Sequence, residues 1–300
     1  MQTIPAKSIL SARRETGWFA SAYTVNLYRG CSHGCIYCDS RSECYGIDDF
    51  AAVRAKDHAI PLLERELSGK KRKGIILTGA MSDPYNPFEA EQKLTRQYLR
   101  LCDRYRFGTV IITKSDLVCR DADLLAAIAG HSPAAVNITI TAADDALAKR
   151  IEPHAPSSSR RFRTLEQLSA NNILCGVILL PVLPFLTDTR ENISAIVSRA
   201  ADAGASWIYA EQHFAVSLRD RQREYFYRRL DESFPGVREQ YEKTFGSRYW
   251  CSSPESGRLR ELFVEECRAA GLSFRHDEIE NRILGRPADR QTLLFDPGQE

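Results

Sequence analysis

Short apolar runs rich in β-branched residues punctuate this chain at Tyr23 to Leu27, Gly74 to Thr78, Thr109 to Thr113, Ala135 to Ile140, Leu174 to Leu180 and Trp207 to Ala210. They are too short for buried helices and too continuously apolar for strands with one wet face, so they predict strands covered on both sides. Between them, over Pro61 to Leu67, Glu89 to Tyr105, Asp121 to Ala129 and Arg160 to Ala170, apolar positions follow the spacing of an amphipathic helix. Strands alternating with helices predict an α/β fold, a parallel sheet whose right-handed crossovers cover its outer face and curl it toward a barrel. In such barrels reactive groups gather at the carboxyl ends of the strands, because the loops that follow converge on one face.

Beyond Gln212 the strand pattern fades and charged, aromatic helices take over, notably Leu218 to Leu230 and Leu259 to Ala270. The expected organisation is an N-terminal extension over residues 1–22, the barrel over 23–212, a helical extension over 213–285 and a mobile tail over 286–300. A length of 300 residues suits one large barrel domain of this kind. The opening residues lack the apolar run and cleavage site of a secretory signal, and no stretch is apolar for the ~20 residues that span a bilayer. A cytoplasmic protein with no membrane partner is the expectation.

Hydrophobic residues at 43% and charged residues at 27% exclude collagenous, coiled-coil and wholly disordered chains. A formal charge of +2 means that any affinity for nucleic acid must come from local patches. One candidate patch interleaves Arg219, Arg221, Arg223, Arg228 and Arg229 with Tyr225, Phe226 and Tyr227, since cations track phosphates and rings stack on bases. A charged helix packed on the barrel by those same rings is the competing reading. Lys70 to Lys73 is more basic but precedes the second strand, on the face opposite the strand ends, and reads as a solvated loop.

The chemistry lies in the cysteines. There are 9 of them, an odd number and a poor disulfide framework, and a reducing compartment fits them better. Three stand together after the first strand, in Cys31-Ser-His-Gly-Cys35-Ile-Tyr-Cys38, where Gly34 permits a tight turn. Soft thiolates select iron-sulfur clusters, zinc or copper(I). An iron-sulfur cube held by three of them keeps one iron open. A zinc knuckle completed by Cys44 or His33 is the alternative, although no second Cys-x-x-Cys hook exists in the chain.

Cys-x3-Cys-x2-Cys with an aromatic residue before the last Cys resembles the signature of the radical SAM superfamily, and within it the chain resembles the spore photoproduct lyase-like family. The supporting segments are Asn26 to Cys31, Thr78-Gly-Ala-Met-Ser-Asp-Pro-Tyr-Asn-Pro87 with Glu89, Thr113-Lys-Ser115 and Ile151-Glu-Pro153. The resemblance implies a partial (β/α)6 TIM-like barrel of the radical SAM type with a mainly helical C-terminal extension. It implies a [4Fe-4S] cluster on Cys31, Cys35 and Cys38, whose open iron binds S-adenosylmethionine and whose electron cleaves the sulfonium to a 5'-deoxyadenosyl radical. An electron donor such as flavodoxin or ferredoxin is the implied redox partner.

The same resemblance assigns the remaining site. Tyr37 is carried over as an adenine contact through its backbone and ring. Gly79, Ser82 and Asp83 follow the second strand, where relatives meet the methionine amino group; Asp83 would otherwise cap the next turn. Lys114, past the third strand, suits the methionine carboxylate, with a surface lysine as the plain alternative. Thr139, ending the fourth strand, matches a hydroxyl near the ribose or methionine tail. Apart from the resemblance, position after the fourth strand places Glu152 and Arg150 to order the mouth or touch substrate, and Asp188, in the loop after the fifth strand, is placed to pair with a basic group or cap the helix at Thr189.

As to substrate, the lyase repairs a thymine dimer in DNA with a cysteine that returns a hydrogen atom. That position falls at Ala80 here, so a related reaction on DNA or another nucleic acid is expected rather than the same repair. Cys44 and Tyr85 are substitute donors to consider. The alternatives are a radical SAM enzyme acting on a peptide or small metabolite, and a zinc-stabilised nucleic-acid-binding module without catalysis. Gln291 to Phe295 resembles a peptide that docks on the sliding clamp.

Overall fold

The computed structural model describes residues 1–286, the side chains of residues 14–16 excepted. The clamp-like segment Gln291 to Phe295 lies outside the described residues. Among these, a seven-stranded sheet forms the centre: β1 (Leu10–Gly17), β2 (Ser21–Val25), β3 (Ile75–Thr78), β4 (Gly108–Thr113), β5 (Ala134–Thr139), β6 (Cys175–Leu179) and β7 (Ile208–Ala210). Spatial order follows chain order. From β2 to β7 every neighbouring pair is parallel, and these are the strands the apolar runs predict. Every residue of β3 to β6 is buried, which is why they read as unbroken apolar runs.

The edge strand β1 is antiparallel to β2 and was not expected. Its sequence, with Arg13, Arg14 and Glu15, is that of a loop by hydropathy. Charge on an edge strand discourages pairing with other chains.

Crossover helices cover the outer face: α1 (Ala59–Ser68), α2 (Leu94–Tyr105), α3 (Ala122–Ala129), α4 (Asp145–Ile151), α5 (Ser158–Ala170) and α6 (Arg190–Asp202). Side-chain caps start three of them, with Asp144, Ser157 and Thr189 accepting from the backbone at Leu147, Arg160 and Asn192. Glu89 to Tyr105 is not one helix, as the pattern suggests. A single turn, Glu89–Gln92, ends at Lys93 in the left-handed region (φ 52), and α2 starts afresh. The buried Glu89 carboxylate causes the break, accepting from the backbone of Thr95 (3.0 Å) and Arg96 (3.3 Å) while Arg120 pairs with it at 2.7 Å.

The C-terminal part is mainly helical: α7 (Asp220–Ser233), α8 (Val237–Phe245), α9 (Ser256–Ala269) and α10 (His276–Ile283), with a small antiparallel pair, β8 (Ala215–Ser217) and β9 (Trp250–Ser252). It packs on the cysteine loop: Phe226, Leu230, Tyr241 and Phe245 share an apolar cluster with Cys35, Ile36 and Tyr37. At the opposite edge, Trp18 and Phe19 in the β1–β2 turn bring their rings to 5.4 and 5.8 Å from Tyr209 of β7, closing the gap between the first and last strands. No helix among the described residues is long and apolar enough to cross a membrane.

The basic stretch on α7 is a packing element. Phe226 and Tyr227 are buried. Arg221 donates to the carbonyls of Arg41 (3.1 Å) and Ile47 (2.6 Å), Arg223 to those of Leu218 (2.8 Å) and Gly246 (2.9 Å), and Arg229 pairs with Glu232. Most of the guanidinium capacity offered to phosphates in the sequence reading is therefore consumed within the chain.

Candidate active site

The carboxyl ends of all six parallel strands open on one cavity of about 410 Å³. Cys31, Cys35, Tyr37 and Cys38 reach it from the loop after β2, Gly79 and Asp83 from that after β3, and Lys114 from that after β4. Thr139 ends β5 in its wall, and Pro181 and Glu211 follow β6 and β7 into it. Of the residues expected from sequence to hold the cluster or S-adenosylmethionine, Ser82 alone stands apart: it is buried but does not line the cavity.

The cysteine loop is pinned by backbone bonds on both sides of Cys35. Ile36 N donates to Ile151 O (3.0 Å), His154 N to His33 O (3.0 Å), and Cys31 N to Phe50 O (2.8 Å). Gly34 has φ +72, and a Cβ there would stand 2.9 Å from the His154 ring. Burial pushes the Cys31 and Cys38 thiols up to about 11 and Cys35 up to about 12. Such thiols are poor nucleophiles at neutral pH and become thiolates only when a metal displaces the proton.

The donor set suits a polynuclear cluster. Among the described residues no three His, Cys, Asp or Glu side chains gather around a point as a single ion requires. Of the two candidates for a fourth zinc ligand, Cys44 is exposed and outside the cavity, and His33, which lines it, has Nδ1 3.4 Å from Asp83 Oδ2. Three cysteine thiols in the wall of one cavity, without a fourth cysteine among the described lining residues, match a cube with one iron left open.

Asp83 ties two loops together. It accepts from Thr113 Oγ1 (2.6 Å), Lys114 N (2.8 Å) and Tyr85 N (2.9 Å), so it caps its own turn as well as facing the cavity. Gly79 lets this loop press on β4: with φ +96, a Cβ would fall 1.9 Å from the Ile112 carbonyl oxygen.

Lys114 is not a surface lysine. Its ammonium lies 3.9 Å from Glu152 Oε1 and 5.7 Å from the Tyr37 ring centre, with 16% of the side chain exposed. Glu152 is fully enclosed, accepting from the Tyr37 hydroxyl and meeting Arg161 at 2.5 Å. Burial works against its ionisation, but Arg161 and Lys114 outweigh it and hold the carboxyl below its ordinary range. Glu152 thus orders the site from beneath and does not line the cavity.

The C-terminal part holds the other side of the loop. Gln222 Nε2 donates to Tyr37 O (3.1 Å), a carbonyl with a second lone pair still available, Arg219 Nη2 to Asp39 Oδ2 (2.7 Å), and Ser42 Oγ to Asp220 Oδ2 (2.6 Å). Trp18, Asp39, Tyr45, Tyr209 and Trp250 also line the cavity. Sequence reasoning missed all five; only Asp39, beside Cys38, carried a positional signal.

Residues 25–195, more than half of the chain, match the radical SAM superfamily. The chain belongs to that superfamily. It is a radical SAM enzyme, and its cofactors are a [4Fe-4S] cluster and S-adenosylmethionine. An uncharacterised protein of Mycobacterium tuberculosis is 30% identical over 230 residues, 74% of this chain and 67% of that one. Another, from Methanocaldococcus jannaschii, is 35% identical over 170 residues, 56% of this chain and 63% of that one. Spore photoproduct lyase complexed with dinucleoside spore photoproduct shares the fold, with a TM-score of 0.61, 14% identity, and coverage of 88% of this chain and 81% of that one. The radical SAM methyltransferase TsrM of Kitasatospora setae, with tryptophan and a SAM analogue bound, superposes with a TM-score of 0.53 at 13% identity, over 82% of this chain and 51% of that one.

In this radical SAM enzyme, several sequence expectations need correction. Tyr85 is buried against Asp121 (3.1 Å) and, like Cys44, does not line the cavity, so neither replaces a cysteine at Ala80. Arg150 stacks on Phe234 at 4.0 Å and donates to Ser233 O, away from the mouth. Asp188 accepts from Ser253 Oγ (2.7 Å), while Thr189 itself caps α6.

Proposed function

We propose that this enzyme acts on DNA or another nucleic acid, by a reaction related to but distinct from repair of spore photoproduct. The observation that carries the reading is the cavity itself: three sulfurs at the end of β2 and the ends of five further strands around them, in a fold similar to that of a lyase complexed with a dinucleoside lesion. Ala80, which also lines the cavity, has no transferable hydrogen of the kind the lyase cysteine supplies.

Cys31, Cys35 and Cys38 would hold the cluster. Bound there, the cluster and S-adenosylmethionine supply one-electron cleavage of the sulfonium and a radical able to abstract hydrogen. The chain supplies orientation and exclusion of water. Lys114 offers its ammonium to a carboxylate, Gly79 exposes backbone, and Thr139 offers a hydroxyl, while Tyr37 presents ring and carbonyl to an adenine. Asp83 keeps the β3 and β4 loops in register. Flavodoxin or ferredoxin is the proposed electron source, and the barrel over residues 23–212 with the extension over 213–285 is the proposed division of the chain.

The test is anaerobic purification followed by reduction with S-adenosylmethionine present. We expect brown protein with about four irons and 5'-deoxyadenosine whose yield rises with ultraviolet-damaged DNA over intact DNA and no DNA. Equal yields in all three reactions would remove nucleic acid as the substrate, and colourless protein with one zinc would remove the enzyme reading.

A further inference from the structure

The wall of the cavity beyond the sulfurs is built from rings. Trp18, Tyr45, Tyr209 and Trp250 line it. Trp18 and Trp250 are nevertheless 36% and 40% exposed, among the few large apolar side chains so exposed in the described residues. Tyr249, another of these, lies 6.3 Å ring to ring from Trp250. Exposed apolar surface collected at one cavity marks a binding surface. Trp18 has a structural partner in Tyr209 at the closed edge of the sheet. Trp250 has no comparable ring beneath it in the barrel and stands on the short strand β9, directed at the cavity.

Charge selects what these rings accept. Among the described residues that line the cavity, Lys114 is the one Lys or Arg, and Glu152 already engages it at 3.9 Å. Asp39, Asp83 and Glu211 are acidic, and Glu211 accepts from His213 N (2.8 Å) with lone pairs remaining for another N–H. Arg219 holds Asp39 at 2.7 Å and three donors occupy Asp83, so a phosphate entering here would meet carboxylates and no uncommitted Lys or Arg among the described lining residues. A neutral, flat ring with N–H donors would meet aromatic faces and acceptors.

We infer that Trp18 and Trp250 are the recognition subsite for the reacting group, and that this group is a nucleobase taken out of its stack, with its phosphates left outside. The inference rests on the nucleic-acid reading above. Every base has a π-face, so stacking on exposed indoles captures it with little sequence preference, and single strands, already unpaired, enter most readily.

The chain's 3 tryptophans make the test direct. Trp207 is fully buried, its Nε1 donating to Asn137 Oδ1 (2.8 Å), so a change in tryptophan emission on titration reports Trp18 and Trp250. The holoenzyme, saturated with S-adenosylmethionine, is titrated with an end-labelled single-stranded oligodeoxynucleotide and with an abasic strand of equal length, and its uptake of radiolabelled free tryptophan is followed by equilibrium dialysis. Emission and label anisotropy are both read. We expect the base-bearing strand to quench emission and to bind about tenfold more tightly than the abasic one. Trp250→Ala should weaken it roughly tenfold, with Trp250→Phe retaining most of the affinity. Trp18→Phe, which keeps the packing on Tyr209, should lower quenching without loss of S-adenosylmethionine binding. Equal binding of abasic and base-bearing strands, or an unchanged affinity in Trp250→Ala, overturns the subsite and leaves the nucleic-acid reading standing. Uptake of tryptophan with no oligonucleotide binding overturns both.

Discussion

The hydroxyl of Tyr37 donates to the carboxylate of Glu152, a residue 115 positions further along the chain. Tyr37 sits between two cysteines of the site, so this bond fixes the loop that carries them. Glu152 also meets Arg161, and Arg161 in turn donates to Thr139 O (3.0 Å) and Pro156 O (2.9 Å). One buried ion pair therefore joins the cysteine loop, the end of β5 and the start of α5.

Breaking that pair from one side should be severe. Glu152→Gln leaves the Arg161 guanidinium buried without its anion, a loss of about 3–5 kcal/mol for a pair of this kind. Tyr37→Phe removes only the phenol contact and should lose about 1.5–3 kcal/mol, a bond to a charged acceptor. Urea melts of the two variants check the ranking, and adding Arg161→Met to Glu152→Gln should recover part of the loss. Equal, small effects would mean the pair is not a brace.

Acid should undo the same contact. The folded carboxyl of Glu152 is held below its unfolded value, so it binds fewer protons than the unfolded chain does. The stability it contributes is present above an unfolded value of about 4.3 and disappears as pH falls through the lower folded value. Measured from neutrality down to about pH 3, the urea midpoint of Glu152→Gln should fall less steeply than that of the parent chain. Parallel curves would remove the linkage.

The barrel was legible because parallel strands buried on both faces leave unbroken apolar runs, as Val110 to Ile112 do on β4. The residues placed at the site by motif were legible for a related reason, since each follows a strand end. What escaped is non-local. Gln222 reaches Tyr37 across 185 positions and Arg219 reaches Asp39 across 180, and no period or spacing encodes such contacts. The strand β1 escaped because its polar pattern is that of a loop, and the restart of α2 because a buried Glu89 overrides helical propensity.

Cysteine replacement separates the site from its neighbour. Cys31→Ala, Cys35→Ala and Cys38→Ala each remove one of three sulfurs from the cavity, and each should yield protein without the broad visible absorption of an iron-sulfur cluster. Cys44→Ala should keep the absorption and the iron content, because its thiol is exposed and outside the cavity. Iron analysis of anaerobically purified variants decides the matter; loss of iron on changing Cys44 would return it to the ligand set.

The contacts from α7 predict that the C-terminal part is needed to keep the cluster loop ordered. Asp39 and Arg219 are both half-buried and bonded at 2.7 Å, so the pair itself contributes little, about 1 kcal/mol or less after solvent screening. Gln222 is different. Its side chain is fully buried and donates to both Tyr37 O (3.1 Å) and Ser217 O (3.2 Å), so removing it strands one buried and one partly buried acceptor. Gln222→Ala should destabilise the chain by about 1–3 kcal/mol. It should also raise amide exchange across residues 37–47, while exchange in the β4 and β5 strands stays slow. Hydrogen exchange of the holoenzyme reads both regions in one experiment. Uniform acceleration through the sheet would mean that Gln222 supports the whole fold, and an unchanged cluster loop would mean that α7 does not hold it.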